Sequence, residues 1–306
     1  MGPPSSPSRL DAATDAERSE RLKAIGLMLL ALLCFALLDT TAKYLSATFA
    51  VVQIIFCRYF SHFLINLATT PRRDLSTVWR SSRWPMQVLR GLFMLGATTC
   101  NFIAIRYLQL AETMSIFFAT PFVVALAAGP LLGEWVGPRR LAAIAFGFLG
   151  VLVVMRPGVG GLPWQAIFSV FAMLSYAGYS ITTRILAPTE KSATAQFYAA
   201  ATGTIAYLPF VFAFWETPQT ILHGFLLVLT GIIGFSGHQF MIAAHRYAPA
   251  AILSPFIYTE LIWMIALGFI VFGDVPTQWT LLGAGIVIIS GLYLIWRERR
   301  VKAHAA

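Results

Sequence analysis

Residues 91–111 read GLFMLGATTCNFIAIRYLQLA, and residues 231–251 read GIIGFSGHQFMIAAHRYAPAA. Sliding the first stretch onto the second by 140 positions, with no gap, pairs Gly91 with Gly231, Ala104 with Ala244, Arg106-Tyr107 with Arg246-Tyr247 and Ala111 with Ala251. The match extends to Gly133-Glu134 on Gly273-Asp274 and Leu141 on Leu281. At a shift of 141, Phe35, Thr41, Lys43 and Leu45 fall on Tyr176, Thr182, Arg184 and Leu186. The chain is written twice.

What is repeated is apolar. Of 306 residues, 58% are hydrophobic and 11% charged, with a mean hydropathy of +0.73. A soluble domain carries roughly 25% charged residues, so this chain lacks the charge to cover a water-facing surface. Its apolar residues come in runs of roughly 18–24, the length of a membrane-spanning helix. We read ten spans, at 24–45, 51–70, 85–105, 110–132, 138–156, 163–186, 192–214, 221–244, 249–272 and 278–296. Pro71, Gly137-Pro138, Pro157 to Pro163, Pro188, Pro218, Pro249 and Pro276 punctuate them. Backbone polar groups in hydrocarbon must be satisfied within the segment, so each run is expected to be a helix and the fold all-α.

Five spans per copy is an odd number, so the second copy enters the membrane upside down. A 5+5 inverted repeat is the device by which secondary transporters build two facing states from one unit. The expected organisation is a disordered tail over 1–23, a first repeat over 24–157, a second over 158–297 and a basic tail over 298–306.

Ten spans put both ends on one side. On that side lie Arg9, Arg18, Arg21, Lys23, Arg72, Arg73, Arg80, Arg83, Arg139, Arg140, Arg184, Lys191, Arg246, Arg297, Arg299, Arg300 and Lys302, seventeen bases. The other side holds three, Lys43, Arg106 and Arg156. The positive-inside rule makes the richer side cytoplasmic, which places the chain in a bacterial inner membrane with both termini inside. The net charge of +9 sits in short strips between spans, so it determines topology and does not mark a nucleic-acid surface. Cys34, Cys57 and Cys100 fall inside spans without C-x-x-C spacing, which points to packing and to no metal site. No Walker loop, H-E-x-x-H, G-x-S-x-G or G-x-G-x-x-G occurs, so neither an ATP-driven pump, a catalytic activity nor a bound cofactor is expected.

With the repeat in view, the chain resembles the drug/metabolite transporter superfamily in its ten-helix EamA-type form. The resemblance rests on Ala111, Ser115, Pro121 and the Gly133-Glu134 corner, with Ala250, Ser254 and Gly273-Asp274 in the second copy. The second copy departs in carrying Leu261 opposite Pro121, with Glu260 beside it. The resemblance implies transport of small organic solutes, amino acids in some members and riboflavin- or S-adenosylmethionine-like solutes in others. A flippase of a lipid-linked intermediate, or another membrane-embedded non-transport protein, is the rival reading. The partners expected are the solute and membrane lipids, and the organisation leaves room for a homodimer.

Charge at membrane depth costs about 2.5–3.5 kcal/mol per residue and calls for a reason. Asp39 has Lys43 one helical turn on, the order of a helical ion pair, so it is either paired there or faces a solute. Arg58, His62 and Asn66 form a stripe on one face of the second span, which reads as a helix-holding charge or as a cationic floor for a carboxylate-bearing solute. Glu260 lies in mid-span among Phe256, Trp263 and Leu267, with Tyr258 nearby. It suits a cationic or ring-bearing solute, a proton carrier, or a neutral structural acid. His238 titrates near neutral pH in isolation and shares a face with Gly231 and Gly234. Tyr176 and Tyr179 form either a cavity wall or ordinary packing. Glu260, Trp263, His238, Arg58, Asp39, Tyr258, Tyr176 and Tyr179 are the expected solute-binding residues, with Glu260 as the proton-coupling group.

The topology is checked by one cysteine. Placed at Gly160 in a background lacking the three native cysteines, it should react with an impermeant maleimide in intact cells; reaction only after permeabilisation would overturn the inverted arrangement.

Overall fold

The computed structural model describes residues 9–133, 137–156, 160–248 and 250–305, and every regular element among them is helical. The elements are α1 (Arg9–Leu45), α2 (Val51–Thr69), the single turn α3 (Arg72–Leu75), α4 (Trp84–Tyr107), α5 (Leu110–Phe117), α6 (Thr120–Leu132) and α7 (Pro138–Met155). The second half supplies α8 (Ala166–Leu186), α9 (Ser192–Val211), α10 (Ile221–Tyr247), the turn α11 (Ala250–Leu253), α12 (Glu260–Leu267) and α13 (Gln278–Ala305). Eight helical stretches are long and apolar enough to cross a membrane: Arg18–Leu45, Val51–Thr69, Trp84–Tyr107, Leu110–Leu131, Ala166–Leu186, Ile221–Tyr247, Pro255–Phe272 and Gln278–Trp296. Leu141–Met155 is apolar but shorter, and α9 is a helix outside that set.

Two expectations need revision at the edges. α1 already begins at Arg9, so residues 9–23 continue the first helix instead of forming a tail. Likewise α13 runs on to Ala305, through the expected basic tail. Residues 1–8 of the N-terminal tail, Glu134 of the Gly-acid corner, Pro157 to Val159 of the central loop, Pro249 and Ala306 lie outside the described residues.

The packing has a recurring plan. α1 lies along α10 as α8 lies along α4, while α7 pairs with α13 and α2 with α9. α2 also rests on α10, and α9 on α4. The closest crossings use the repeated glycines. A Cβ on Gly91 would stand 2.6 Å from Thr202 Oγ1, and one on Gly231 would stand 2.5 Å from Ser61 Cβ. Ser61 and Thr202 are themselves 141 positions apart. In the α7–α13 pair, Gly150 packs on Gly283, and Ser290 donates a hydrogen bond to the Ala143 carbonyl.

Neither span 4 nor span 9 is a regular helix. The first breaks at Phe118-Ala119 between α5 and α6, with Pro121 in the first turn of α6. The second enters through a 3₁₀ turn at Ser254–Thr259, becomes α12 at Glu260 and leaves through a π turn at Gly268–Phe272. Thus Leu261 replaces Pro121 without removing the break, because the 3₁₀ turn that opens on Pro255 supplies it. Both segments end on a left-handed glycine, Gly133 at φ 74° and Gly273 at φ 70°, whose N–H groups close back onto Ala128 and Gly129 and onto Gly268 and Phe269.

The crossings differ in what they tolerate. The nearest obstacles to Gly91→Ala are atoms of the Thr202 side chain, its Cβ at 2.8 Å among them, so adding Thr202→Gly should restore part of the lost melting temperature. Gly231→Ala also meets the Arg58 carbonyl at 2.6 Å and the His62 nitrogen at 2.7 Å, so Ser61→Gly should not rescue it. Thermal unfolding of the four variants in detergent checks the contrast; equal rescue would refute it.

Candidate functional site

The two irregular segments and the polar positions of α1, α2, α4, α8 and α10 face the same interior. Glu260 opens α12 where the 3₁₀ turn gives way, and it is 8% exposed. No hydrogen bond to its carboxylate is present among the described residues. Asp39 of α1 lies within electrostatic reach of it and is half-buried. The expected Asp39–Lys43 pair does not form. Asp39 Oδ2 instead accepts from Asn101 Nδ2 of α4 at 3.0 Å.

Lys43 is engaged elsewhere. Its Nζ donates to Asp274 Oδ2 at 2.8 Å and to the Leu108 carbonyl at 2.9 Å, and it stands 4.8 Å from the Phe272 ring. One turn along α1 separates the two residues, yet Asp274 arrives from the corner after span 9 and offers a partner of distant sequence that local spacing cannot reveal. Gln109 Nε2 adds a bond to the Val275 carbonyl, and its backbone N–H is capped by Glu112 Oε2. The end of α1, the α4–α5 turn and the corner before α13 are thereby tied together.

Aromatic rings line the approach to the acids. Tyr176 is within electrostatic reach of Glu260, and its ring centroid is 4.9 Å from Phe117 and 5.5 Å from Tyr179. Tyr179 is held by Arg90, whose Nη2 donates to its hydroxyl at 3.0 Å. Trp263 is half-buried, and its indole nitrogen is buried without a hydrogen-bond partner. Tyr258 turns away. It packs edge-on against Phe118 at 5.1 Å, and its hydroxyl lodges against Gly291 of α13, so it belongs to the wall behind the site.

Arg58 marks a second pole. It is 5% exposed, and its Nη1 donates to Thr98 Oγ1 at 2.6 Å while the Tyr59 ring lies 4.9 Å away. Among the described residues no carboxylate reaches ion-pair distance, although Asp39 is within electrostatic reach. His62 and Asn66, the rest of the stripe, are buried with it and face helices. His62 Nε2 donates to Gln196 Oε1 at 3.1 Å, and its ring is 6.2 Å from that of His238. His238 is half-buried, with Phe35 at 5.1 Å.

Six of the eight expected residues, Glu260, Asp39, Arg58, His238, Tyr176 and Tyr179, are linked to one another by electrostatic reach or ring contact. Tyr258 packs behind them, and among the described residues Trp263 shares neither a hydrogen bond nor a ring contact with them. Sequence reading missed Asn101, Thr98 and Asp274 as partners. An amide deep in a span was the available signal for Asn101, since an amide in hydrocarbon needs a partner.

An all-helical membrane bundle with charged and aromatic groups turned inward defines a protein that handles a solute inside the bilayer. The EamA-like transporter family model matches residues 22–156 and again 163–297, and the chain belongs to that family. It is a small-metabolite transporter and an integral membrane protein. The chain is 26% identical over 282 residues to an S-adenosylmethionine uptake transporter of Rickettsia felis, covering 91% of this chain and 94% of that one. It is 25% identical to a riboflavin transporter of Rhizobium johnstonii, covering 89% and 91%, and 24% identical to the pseudopaline exporter CntI of Pseudomonas aeruginosa, covering 88% and 94%. A solved crystal structure superposes with a TM-score of 0.63 over 92% of this chain and 97% of its own at 18% identity, which shows a shared fold.

The division between wall and site is testable. Tyr258→Phe should leave solute binding within about twofold of wild type, whereas Tyr176→Ala should weaken it by roughly tenfold, the order of an aromatic contact of about 1–1.5 kcal/mol. Equal effects of both in a ligand-binding titration would refute the assignment.

Proposed function

We propose that the chain carries a small cationic, ring-bearing metabolite across the bacterial inner membrane by alternating access, as a secondary transporter without catalytic activity. The observation that carries this reading is the pair of carboxylates, Asp39 from α1 and Glu260 from α12, with Asp39 in electrostatic reach of Glu260 and, among the described residues, no cation at ion-pair distance from either. A buried carboxylate favours a compensating positive charge, and the rings of Tyr176, Tyr179 and Phe117 offer stacking faces beside it. The buried indole N–H of Trp263 adds a free donor. The relatives' names fit this chemistry in different parts: S-adenosylmethionine bears a sulfonium and an adenine, while riboflavin, uncharged at neutral pH, offers a flat ring system alone. They also speak against the flippase reading, since each of these solutes is a soluble metabolite.

The ten-span, 5+5 inverted architecture is part of the same proposal. The twofold family match, the recurring helix pairs, the glycine crossings and the paired breaks in spans 4 and 9 support it. In this reading the solute region lies between the halves near mid-bilayer, both termini are cytoplasmic, and residues 24–157 and 158–297 are the repeats. Broken spans at a repeat interface are where transporters place their binding sites.

Glu260 is also the proposed proton carrier. Burial penalises only its ionised form, so a proton replaces the solute's cation when the site is empty. Purified protein should be stabilised by S-adenosylmethionine or riboflavin, by about 2.7 kcal/mol at 100 times Kd. In proteoliposomes Glu260→Gln should retain counterflow of the bound solute and lose accumulation driven by a pH gradient. Wild-type accumulation that ignores the gradient would make Glu260 a binding residue only, and wild-type transport by Glu260→Ala would remove it from the site.

A further inference from the structure

Among the described residues the bundle holds two buried arginines, Arg58 and Arg90, and they are treated differently. Arg90 is saturated: its Nε donates to Thr183 Oγ1 at 2.7 Å, Nη1 to the Ala195 carbonyl at 2.7 Å and Nη2 to the Tyr179 hydroxyl at 3.0 Å. These bonds tie α4 to α8 and α9, which is what a structural arginine does. Arg58 makes one hydrogen bond among the described residues, from Nη1 to Thr98. Its Nε is buried with no partner, and no bond from Nη2 is present among those residues. Thr98 spends its own proton on the Met94 carbonyl at 3.0 Å and so serves Arg58 purely as an acceptor.

The unbonded edge of the guanidinium runs along α10. Nε stands 3.6 Å, and Nη2 3.9 Å, from the point a Cβ on Gly234 would occupy. Leu38 Cδ2 lies 3.6 Å from the same point, so the edge is buried by apolar groups and offered no hydrogen-bond partner. One turn further along α10 is His238, whose ring nitrogens have no hydrogen bond among the described residues. A planar fork with unused donors beside a glycine matches the two oxygens of a carboxylate.

We propose that Arg58, with Gly234 and His238 at its side, is a carboxylate subsite, so that the solute is a zwitterion whose cationic, ring-bearing end meets Asp39 and Glu260 while its carboxylate meets Arg58. This deepens the cation-and-ring reading and rests on it. The charge count agrees. Two carboxylates against one guanidinium leave one acid in excess, which a second cationic group on the solute or a proton on Glu260 neutralises. The placement also accounts for the one bond Arg58 does make: Thr98 fixes one arm of the fork and points the other toward the solute region.

Two matched probe pairs test it on the purified full-length protein: S-adenosylmethionine against its decarboxylated form, and L-tryptophan against tryptamine. Each pair differs in the carboxylate alone. In ligand-induced thermal-shift titrations, the carboxylate-bearing member of a binding pair should bind about 10- to 100-fold more tightly, the worth of a charge-assisted hydrogen bond. Arg58→Gln should abolish that advantage and leave the affinity of the decarboxylated member unchanged. Because the readout is a ratio within one variant, a general loss of stability cancels. If Arg58→Gln does not fold, Thr98→Val, which frees the fixed arm, should narrow the same ratio. A decarboxylated member that binds as tightly in the wild type, or an advantage that persists without Arg58, overturns the subsite while the cation-and-ring reading stands. No stabilisation by any of the four probes overturns both.

Discussion

An ionised carboxylate at membrane depth has no water to hold it, and in this protein the answer to that demand is deferred. Asp39 takes one amide donor from Asn101, Glu260 takes none among the described residues, and the available lysine is committed to Asp274. Arg58 lies within electrostatic reach of Asp39 without forming an ion pair to it. Interactions in a dry interior are stronger than at a surface, so a few misplaced charges there outweigh many contacts in the surrounding apolar packing.

The tie around Lys43 contributes on a different footing. It joins three chain segments far apart in sequence through two hydrogen bonds and a ring contact, at the end opposite most of the basic residues. Lys43 and Asp274 are only partly buried, so their pair is weaker than one in the interior and can be exchanged for water at modest cost.

Much of this was legible from the residues. Long apolar runs gave the helices because hydrocarbon leaves the backbone no other partner, and the self-match at 140 positions located the glycines that form the crossings. Glu260, Asp39 and Arg58 stood out because charge in an apolar run is costly. The partners were not legible. Helical spacing offered Lys43 to Asp39, but spacing within one helix says nothing of a carboxylate arriving from a corner more than two hundred residues on. Tyr258 was expected in the site because it lies two residues from Glu260, yet residues two apart point about 160° apart on an α-helix and about 120° apart on a 3₁₀ turn, so nearness in sequence did not give a shared face. The span count shows a similar limit: α9 and Leu141–Met155 are helices as expected, yet fall short of the length and apolarity that mark the other eight.

The two glycine crossings occupy equivalent positions in the two halves, but they are not equally stiff. Where α4 meets α9, the atoms beside Gly91 belong to the Thr202 side chain. Where α10 meets α2, the atoms beside Gly231 include main chain of Arg58 and His62. Main chain inside a helix has nowhere to yield. A change of residue can loosen the first crossing, whereas only a shift of a whole helix can loosen the second, and Arg58 sits on that less forgiving side while Asn101 sits on the other.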